Sequence, residues 1–224
     1  MGELRTSMKH LLGDSDQLDA VIILNGTLPP IGVLEQFSSV PFIAADGAAN
    51  ALIEVGVIPD ILVGDLDSVR PDVVETVRLH GMVISEPDQE FNDFEKALRV
   101  AATSLWRNVL VLGIHGGELE HTLNNWSVLM RHGRTMRILA LDGARIGLPV
   151  YDVFTYGAEH DEIVSIIPQP QARITTTGLK WPLADEVLEL GSREGARNRA
   201  TETSVTITVH DGSALVFVSS RLAP

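Results

Sequence analysis

Two aspartates, Asp65 and Asp67, lie two residues apart directly after a short apolar segment at residues 61–63. A loop that leaves a strand at this point can bring both carboxylates to one small, hard cation. Mg²⁺ prefers oxygen ligands and typically uses one or two carboxylates, which leaves positions for water and for substrate phosphates. The alternative is a turn whose aspartates only accept hydrogen bonds from nearby amides. The preceding glycine and apolar segment, with Asp46 at the end of another such segment, favour the cation site.

Residues 92–96 predict the first turn of a helix. Asn92 is a good N-cap and Glu95 follows three residues later, which is the spacing of a capping box. Asp93 can complement the helix dipole, which favours negative charge at this end. Lys96 opposes the same dipole, so its ammonium group is either solvated or holds an anion such as a phosphate. This turn is therefore compatible with helix capping alone and with a metal and phosphate site.

Three glycines, Gly113, Gly116 and Gly117, lie between an apolar segment and a segment with helical spacing. Glycine lets the backbone approach a ligand closely, and free amides at a helix start suit a phosphate. An ordinary flexible connection is the alternative. The loop is neither a Walker loop nor a dinucleotide fingerprint, because the Gly-Lys-Ser/Thr sequence and the G-x-G-x-x-G spacing are both missing. It is a candidate phosphate-binding loop that neither motif explains.

The elements that position these residues belong to a region from about residue 18 to 142. Short apolar segments alternate there with helical spacing. The predicted strands are residues 20–24, 42–45, 61–63, 82–85, 109–112 and 136–141. Near-continuous apolar strands separated by helices predict a mostly parallel sheet flanked by helices in an α/β domain. Ligands of such sheets bind outside the carboxyl ends of the strands, where the polar residues described above are located.

From about residue 150 the helical spacing ends, and short strands alternate with turn residues. The predicted strands are residues 162–167, 172–177, 187–190, 204–209 and 214–219. Pro168 and Pro170 mark one of the turns, and the pair Asp211-Gly212 predicts a tight hairpin. We therefore expect a small antiparallel, all-β sandwich or barrel in the C-terminal part of the chain.

The composition excludes several classes of protein. The 224 residues include 17 Lys and Arg against 30 Asp and Glu, a net charge of −13 that is opposite to the balance of a duplex-binding protein. The absence of cysteine removes disulfides, thiolate catalysis and cysteine-ligated zinc. No segment approaches the roughly 18 apolar residues of a membrane span, and no apolar block follows the charged residues 1–9. We therefore expect a cytoplasmic protein without a secretory signal, which binds neither nucleic acid nor membrane.

Taken in order, the motifs resemble those of the thiamine pyrophosphokinase (thiamine diphosphokinase) family from about residue 20 to 220. They are Asn25-Gly26, Asp46-Gly47-Ala48-Ala49, Gly64-Asp65-Leu66-Asp67-Ser68, Asp88-Gln89-Glu90, Asn92-Asp93-Phe94, residues 113–121 with Asn125, and Gly178-Leu179-Lys180-Trp181-Pro182-Leu183. The resemblance implies that a pyrophosphoryl group passes from ATP to the hydroxyl of thiamine, giving thiamine diphosphate and AMP. It also implies a catalytic ATP- and Mg²⁺-binding α/β domain, residues 1–148, followed by a β-sandwich domain for thiamine binding and dimerisation, residues 149–224.

The resemblance further implies roles for individual residues, with Mg²⁺ as cofactor and a homodimer that shares the thiamine site between subunits. The implied catalytic residues are Asp65, Asp67, Asp93 and Asp46, one of which accepts the hydroxyl proton. The implied metal ligands are Asp65, Asp67, Asp93 and Asp88. The implied nucleotide contacts are Asn25, Gly47, Lys96, Gly113, Gly116, Gly117, His121 and Asn125. The implied thiamine contacts are Gln89, Trp181 and Asn198. For Trp181, a place in the core of the sandwich is the alternative, and Leu179, Leu183 and Leu188 are expected to be core residues.

Several positions depart from the family pattern. Asn92 stands where threonine is usual, and Arg197 stands where serine is usual. Glu118 and Glu120 follow the glycine loop where arginine and aspartate are typical. Loss of the arginine removes a phosphate contact and places an acid near the nucleotide.

Two other functions are compatible with the acidic motif. A phosphatase of the Asp-x-Asp type would use Asp65 as the nucleophile and Asp67 as the acid. That class carries its motif on the first strand, whereas two predicted strands precede it here. A non-catalytic sensor would bind thiamine or a nucleotide in the same cleft, and Glu118 and Glu120 are compatible with it. The phosphatase would form a phospho-aspartate, and the sensor would be stabilised by its ligand without producing AMP.

Overall fold

The computed structural model describes residues 7–8, 11–12 and 17–222, which belong to two compact units. One unit comprises residues 17–143, and the other comprises residues 144–222 with the described residues at 7–8 and 11–12. The expectation about a secretory signal concerns residues 1–9, which lie outside the described residues except for 7–8. No helix in the described part of the chain has the length and apolar composition that crossing a membrane requires.

The unit of residues 17–143 alternates strands with helices. After the two-residue strand β1 (Ser7–Met8) of the other unit, its elements are β2 (Ala20–Ile23), α1 (Ile31–Glu35), β3 (Phe42–Ala45), α2 (Ala48–Glu54), β4 (Ile61–Gly64), α3 (Pro71–His80), β5 (Met82–Ser85), α4 (Asp93–Thr103), β6 (Asn108–Leu112), α5 (Leu119–His132) and β7 (Arg137–Asp142). The predicted strands of this unit are confirmed, with ends that differ by at most one residue.

The strands of this unit, within residues 17–143, pair in parallel in the order β7-β6-β2-β3-β4-β5. β2 and β3 are buried along their whole length, which explains their continuous apolar sequence. The chain proceeds from β2 to β5 on one side and then returns to place β6 on the other side of β2. Such a reversal of strand order opens a crevice at the carboxyl ends of the strands. The sequence after β2, β3 and β6 therefore lines a natural ligand site.

Helix α4 begins at the predicted N-cap. The side chain of Asn92 accepts a hydrogen bond from the backbone N–H of Glu95 at 2.9 Å. The carboxylate of Glu95 does not complete the predicted capping box, because it lies 2.7 Å from Nη1 of Arg131 and 3.0 Å from Nε2 of His132. Glu95 is buried and ties α4 to the end of α5. The capping-box prediction is therefore correct only for the bond that Asn92 accepts.

The second unit consists of antiparallel strands, to which β1 adds in parallel beside β9. Its elements are β8 (Arg145–Val150), β9 (Val153–Gly157), β10 (Ile163–Thr177), β11 (Glu186–Glu189), β12 (Gly195–Arg199) and β13 (Ser204–Ser219). The two long strands, β10 and β13, pair with each other along their length. Along one half of this pair, β12 pairs with β10 and β8 pairs with β13. Along the other half, β11 pairs with β10 and β9 pairs with β13. The all-β unit is therefore built on two long strands, each of which pairs with a different short strand along each of its halves.

The prediction of a hairpin at Asp211-Gly212 is wrong. Both residues lie inside β13, where the pairing register with β10 shifts as in a β-bulge. Gly212 has a φ of 79°, and a Cβ atom there would overlap the carbonyl oxygen of Gln171. Pro168 and Pro170, predicted as a turn, lie in β10 within the same region. A glycine at positive φ serves a bulge as well as a turn, so the local sequence did not distinguish the two.

Candidate active site

Three aspartates converge at the carboxyl ends of two neighbouring strands. Asp46 directly follows β3, and Asp65 and Asp67 follow β4. One carboxylate oxygen from each lies within 4.8 Å of the others. Oxygen ligands at such separations suit a hard divalent cation such as Mg²⁺.

Asp46 is the buried member of this aspartate group. Its side chain is in a residue only 4% exposed, and its Oδ1 has no hydrogen-bond partner among the described residues. Burial raises the pKa of Asp46, and the charges of Asp93 and Asp65 raise it further. A buried carboxylate oxygen without a partner costs free energy when it is ionised. A cation held by Asp46, Asp65 and Asp67 would offset this cost, so the residues present fit a divalent metal.

The loops that carry these acids have an unusual backbone. Asp46 has a φ of 44° and Leu66 a φ of 67°, both in the left-handed region. For leucine this conformation costs roughly 1 kcal/mol or more, and it persists only where surrounding contacts hold it. Gly64 lets the two loops approach, since a Cβ at that position would lie 2.7 Å from the Cβ of Asp46. The absence of a side chain at Gly64 therefore lets the loop that carries Asp65 and Asp67 lie close to Asp46.

Gln89, in the loop after β5, holds Asp65 in place. Its Nε2 donates a hydrogen bond to Oδ2 of Asp65 at 2.8 Å, and this bond lowers the pKa of Asp65. This bond therefore favours the ionised form of Asp65 and orients its carboxylate. The predicted ligand Asp88 is placed differently: its Oδ1 accepts the backbone N–H of Glu90 at 2.9 Å, and it is not a member of the aspartate group in the described residues.

Asp93 and Lys96 form an ion pair in the first turn of α4. The ammonium nitrogen of Lys96 lies 3.1 Å from Oδ1 of Asp93, and Lys96 is only 2% exposed. Burying a lysine is costly unless its charge is compensated. Asp93 supplies that charge and also raises the pKa of Asp46. The first turn of α4 thus places the buried ammonium group of Lys96 beside Asp93, whose charge in turn acts on Asp46.

A cleft of about 760 Å³ opens at the carboxyl ends of β2, β3 and β6. This volume is typical of a site for a small molecule. The predicted site residues that line it are Asn25, Asp46, Asp93, Gly113, Gly116, Gly117, His121 and Asn125. Gly47 and Lys96 lie in the adjoining segments rather than in the lining. Ser68 and Asn124 also line the cleft; the sequence analysis named Ser68 only as the end of the Gly64-Asp65-Leu66-Asp67-Ser68 motif and did not identify Asn124.

The glycine loop passes close to the loop after β2. Gly113, Gly116 and Gly117 have φ values of 69°, 109° and 85°. A Cβ at Gly113 would overlap the carbonyl oxygen of Leu24, and one at Gly116 would overlap Oγ1 of Thr27. Two of these glycines are thus required by packing as well as by backbone conformation, whatever the loop binds.

Asn125 connects the elements around the cleft. Its Oδ1 accepts a hydrogen bond from Nδ2 of Asn92 at 3.4 Å, and its Nδ2 donates to the carbonyl oxygen of Ile114 at 3.2 Å. These bonds join the start of α4, helix α5 and the glycine loop. The cleft is therefore walled by elements that are tied to one another.

The charged lining of the cleft is acidic. Asp46, Asp93, Glu118 and Glu120 line it, whereas no lysine or arginine is found among the described lining residues. Glu118 is the N-cap residue of α5 and Glu120 lies in its first turn, where the helix dipole favours negative charge. Nε2 of His121 lies 3.7 Å from Oε2 of Glu118. An anionic ligand in this cleft would need cations to accompany it.

In the second unit, Trp181 is 56% exposed, which rules out the sandwich core as its location. The prediction that Leu179, Leu183 and Leu188 are core residues is confirmed, because all three are buried. The ammonium nitrogen of Lys180 lies 5.0 Å from the centre of the Trp181 ring. The tryptophan therefore presents an aromatic face that already attracts a cation.

Asn198 fixes the backbone of Trp181. Its Oδ1 accepts the backbone N–H groups of Trp181 at 3.1 Å and of Arg199 at 2.8 Å. Its Nδ2 donates to the carbonyl oxygen of Trp181 at 2.7 Å. Asn198 is itself buried. Asn198, which the sequence predicted to contact thiamine, thus fixes the backbone position of the exposed tryptophan.

Comparison with known proteins gives the same identification for both units. Residues 36–140 match the family described as "Thiamin pyrophosphokinase, catalytic domain", and residues 154–213 match "Thiamin pyrophosphokinase, vitamin B1 binding domain". The two matches together span well over half of the chain. The sequence is 28% identical to Thiamine pyrophosphokinase 1 of Oryza sativa subsp. japonica, over 93% of this chain and 89% of the rice protein.

Solved structures share the fold. Thiamin pyrophosphokinase from Geobacillus thermodenitrificans superposes with a TM-score of 0.76 at 25% identity, covering 91% of this chain and 98% of that one. Yeast thiamin pyrophosphokinase gives a TM-score of 0.79 at 15% identity, covering 98% and 93% of the two chains. The predicted fold class, an α/β domain with a mostly parallel sheet followed by an all-β domain, is confirmed.

Proposed function

The chain belongs to the thiamine pyrophosphokinase family, and we propose that it transfers a pyrophosphoryl group from ATP to the hydroxyl of thiamine. The products are thiamine diphosphate and AMP. The resemblance found in the sequence is confirmed at the level of the family. The observation that carries the proposed chemistry is the group of Asp46, Asp65 and Asp67 at the edge of a cleft.

We assign the metal site to this aspartate group, with Mg²⁺ as the ion and Asp93 beside it. The support is an all-oxygen donor set and the buried Oδ1 of Asp46, which has no hydrogen-bond partner among the residues that the structure describes. Asp46, Asp65 and Asp67 would hold a divalent ion there, and it would supply neutralisation of the phosphate charge that builds up on the leaving group. Asp88 stays a predicted ligand, although its carboxylate accepts the Glu90 amide.

ATP occupies the cleft in this proposal, with its phosphates between the glycine loop and the start of α4. The acidic lining supports binding of ATP as a metal complex, because the triphosphate alone would face Asp93, Glu118 and Glu120. Lys96 balances Asp93 at 3.1 Å, so part of the negative charge near the phosphates is already compensated. The proposed nucleotide contacts are Asn25, Gly47, Lys96, Gly113, Gly116, Gly117, His121 and Asn125.

Thiamine is proposed to contact Gln89 through the amide oxygen, since Nε2 is engaged by Asp65. The exposed ring of Trp181 suits the cationic thiazolium, and Asn198 holds that tryptophan by its backbone. We further propose a cytoplasmic homodimer in which Trp181 reaches the partner's thiamine. The proposed division into a catalytic domain, residues 1–148, and a thiamine-binding and dimerisation domain, residues 149–224, differs from the two compact units at residues 7–8, 11–12 and 144–148, which belong to the second unit.

The transfer itself exchanges one bond for another. The thiamine hydroxyl oxygen bonds to the β-phosphorus of ATP while the bond from that phosphorus to the oxygen bridging the α-phosphate breaks. One carboxylate of the aspartate group takes the hydroxyl proton, and AMP leaves with the bridging oxygen. Reactions of this kind depend mainly on positioning and on charge neutralisation. Asp65, fixed by Gln89, and the buried Asp46 would hold the cation that supplies this neutralisation.

The proposal is tested by incubating the protein with ATP, Mg²⁺ and thiamine and separating AMP from ADP. We expect AMP and thiamine diphosphate in equal amounts, and no AMP when thiamine is omitted. A phosphatase would instead release phosphate through a phosphorylated Asp65 intermediate, which can be trapped. A sensor would be stabilised against heat by thiamine or ATP without any AMP. The comparisons favour neither of these alternatives.

A further inference from the structure

Asn50, in the first turn of α2, bridges the two acidic loops. Its Nδ2 donates a hydrogen bond to the carbonyl oxygen of Ser68 at 2.8 Å, and its Oδ1 accepts the backbone N–H of Arg70 at 3.0 Å. Helix α2 begins two residues after Asp46, and the backbone N–H of Asn50 donates to the carbonyl oxygen of Gly47. A single side chain therefore links the segment that carries Asp46 to the segment that carries Asp67.

The loop between β4 and α3 needs such a restraint. Leu66, between the two aspartates of this loop, has a φ of 67°, a conformation that leucine adopts rarely and that surrounding contacts must maintain. Beyond it, the hydroxyl of Ser68 donates to Oδ1 of Asp67 at 2.9 Å. Ser68 also packs against the segment of Asp46, since a Cβ at Gly47 would lie 3.3 Å from the Cβ of Ser68. The Asn50 amide therefore holds the backbone of a residue that contacts Asp67 and lies beside the Asp46 segment.

We propose that Asn50 is a positioning residue of the metal site: its side-chain amide holds the Asp65–Asp67 loop so that the carboxylates face Asp46. Asn50 does not line the cleft and touches no reacting group in this arrangement. This role of Asn50 rests on the proposed metal site. Asn50 raises the affinity of that site by keeping the aspartate ligands in place before the ion binds.

Helix α2 also supplies a matched control. Glu54, one turn after Asn50, lies 2.6 Å from Nη1 of Arg70 and so holds the same segment. That ion pair is exposed on both sides and contacts only the end of the Arg70 side chain. Exposed pairs of this kind contribute little to stability. Glu54→Ala therefore removes a tie between the same elements without releasing the backbone of Ser68.

The test is a titration of each full-length variant with Mn²⁺ alone, in which electron paramagnetic resonance measures the free ion. We expect Asn50→Ala to weaken Mn²⁺ binding about fivefold to tenfold, as expected for losing two hydrogen bonds that preorganise the ligands. Glu54→Ala should stay within about twofold of the wild type. In the AMP assay, Asn50→Ala should need more Mg²⁺ for half-maximal rate, with the KM for thiamine unchanged. Alanine is a good helix former, so α2 should remain intact.

Asn50→Asp provides a second variant that keeps the acceptor for Arg70 and loses only the donor to Ser68. Its added negative charge would strengthen cation binding, so weaker Mn²⁺ binding can arise only from release of the loop. Wild-type affinity in Asn50→Ala, which removes both hydrogen bonds without adding charge, overturns the positioning role while leaving the metal site in place. If the wild type binds no Mn²⁺ and forms no AMP, the proposed metal site fails and this role fails with it.

Discussion

Two buried carboxylates, one in each unit, differ in how their charge is compensated. Glu162 in the second unit accepts the backbone N–H of Glu159 at 3.1 Å and of Ser219 at 2.8 Å, and lies 2.6 Å from Nη2 of Arg221. Asp46 in the first unit has an oxygen without a partner among the described residues and further acids nearby. The satisfied carboxylate stabilises the fold, whereas the unsatisfied one marks the place where a ligand completes the site.

The largest effect that this comparison predicts concerns activity at the unsatisfied site. Asp65→Asn should lower AMP formation by roughly a hundredfold or more, because metal neutralisation of phosphate charge contributes several kcal/mol. The unfolding temperature should change little, since this loop contributes little to the core. Asp72→Asn is the control, because Asp72 is an exposed acid on α3 outside the aspartate group. Equal losses of activity in both variants would remove the special role of Asp65.

The satisfied carboxylate should behave in the opposite way. Glu162→Ala removes the buried carboxylate that Arg221 and two backbone N–H groups contact, and we expect the free energy of unfolding to fall by about 3 kcal/mol. Denaturant titration measures this loss. Glu159→Ala, which removes an exposed acid 3.7 Å from the same arginine, should cost less than about 1 kcal/mol. Mn²⁺ affinity of the folded Glu162→Ala protein should equal that of the wild type, and a large loss of affinity would break the contrast.

The smallest predicted effect is a gain in stability, whereas Glu162→Ala causes a loss. Asp46→Asn should stabilise the metal-free protein by about 1 kcal/mol at neutral pH, because it removes a buried charge that Asp93 and Asp65 repel. The pKa of Asp46 is raised in the folded protein, so its ionisation lowers the stability of the wild type as pH rises through that pKa. Asparagine does not titrate. The advantage of the variant should therefore disappear below the ordinary pKa of aspartate, as denaturant titrations at several pH values would reveal.

The sequence predicted the first unit well because its signals are local. The strands are continuous apolar segments, and parallel strands bring their carboxyl ends to one edge, so the meeting of Asp46 with Asp65 followed from their positions alone. The role of Asn50 had no such signal. A single asparagine in a helix looks like an ordinary surface residue until the structure shows Ser68 beside it.

In the second unit the sequence was less informative. Strands β8, β9 and β12 were not predicted, since β8 and β12 lack regular alternation of apolar and polar residues. The bulge at Gly212 divided one long strand into two in the prediction, because its turn-like residues occur inside a strand that only long-range pairing with β10 maintains. Likewise, the partners of Glu95 lie more than thirty residues away in sequence, where no capping rule applies.

The central claim, that the unsatisfied aspartate group is a divalent-cation site, is tested most directly by thermal unfolding with increasing Mg²⁺. The wild type should be stabilised progressively, because an ion that binds only the folded state raises the unfolding temperature with its concentration. Asp46→Asn should start from a higher unfolding temperature without the ion and respond to Mg²⁺ much less, so that the two curves converge. Equal Mg²⁺ responses in both proteins, or no response in the wild type, would contradict the claim.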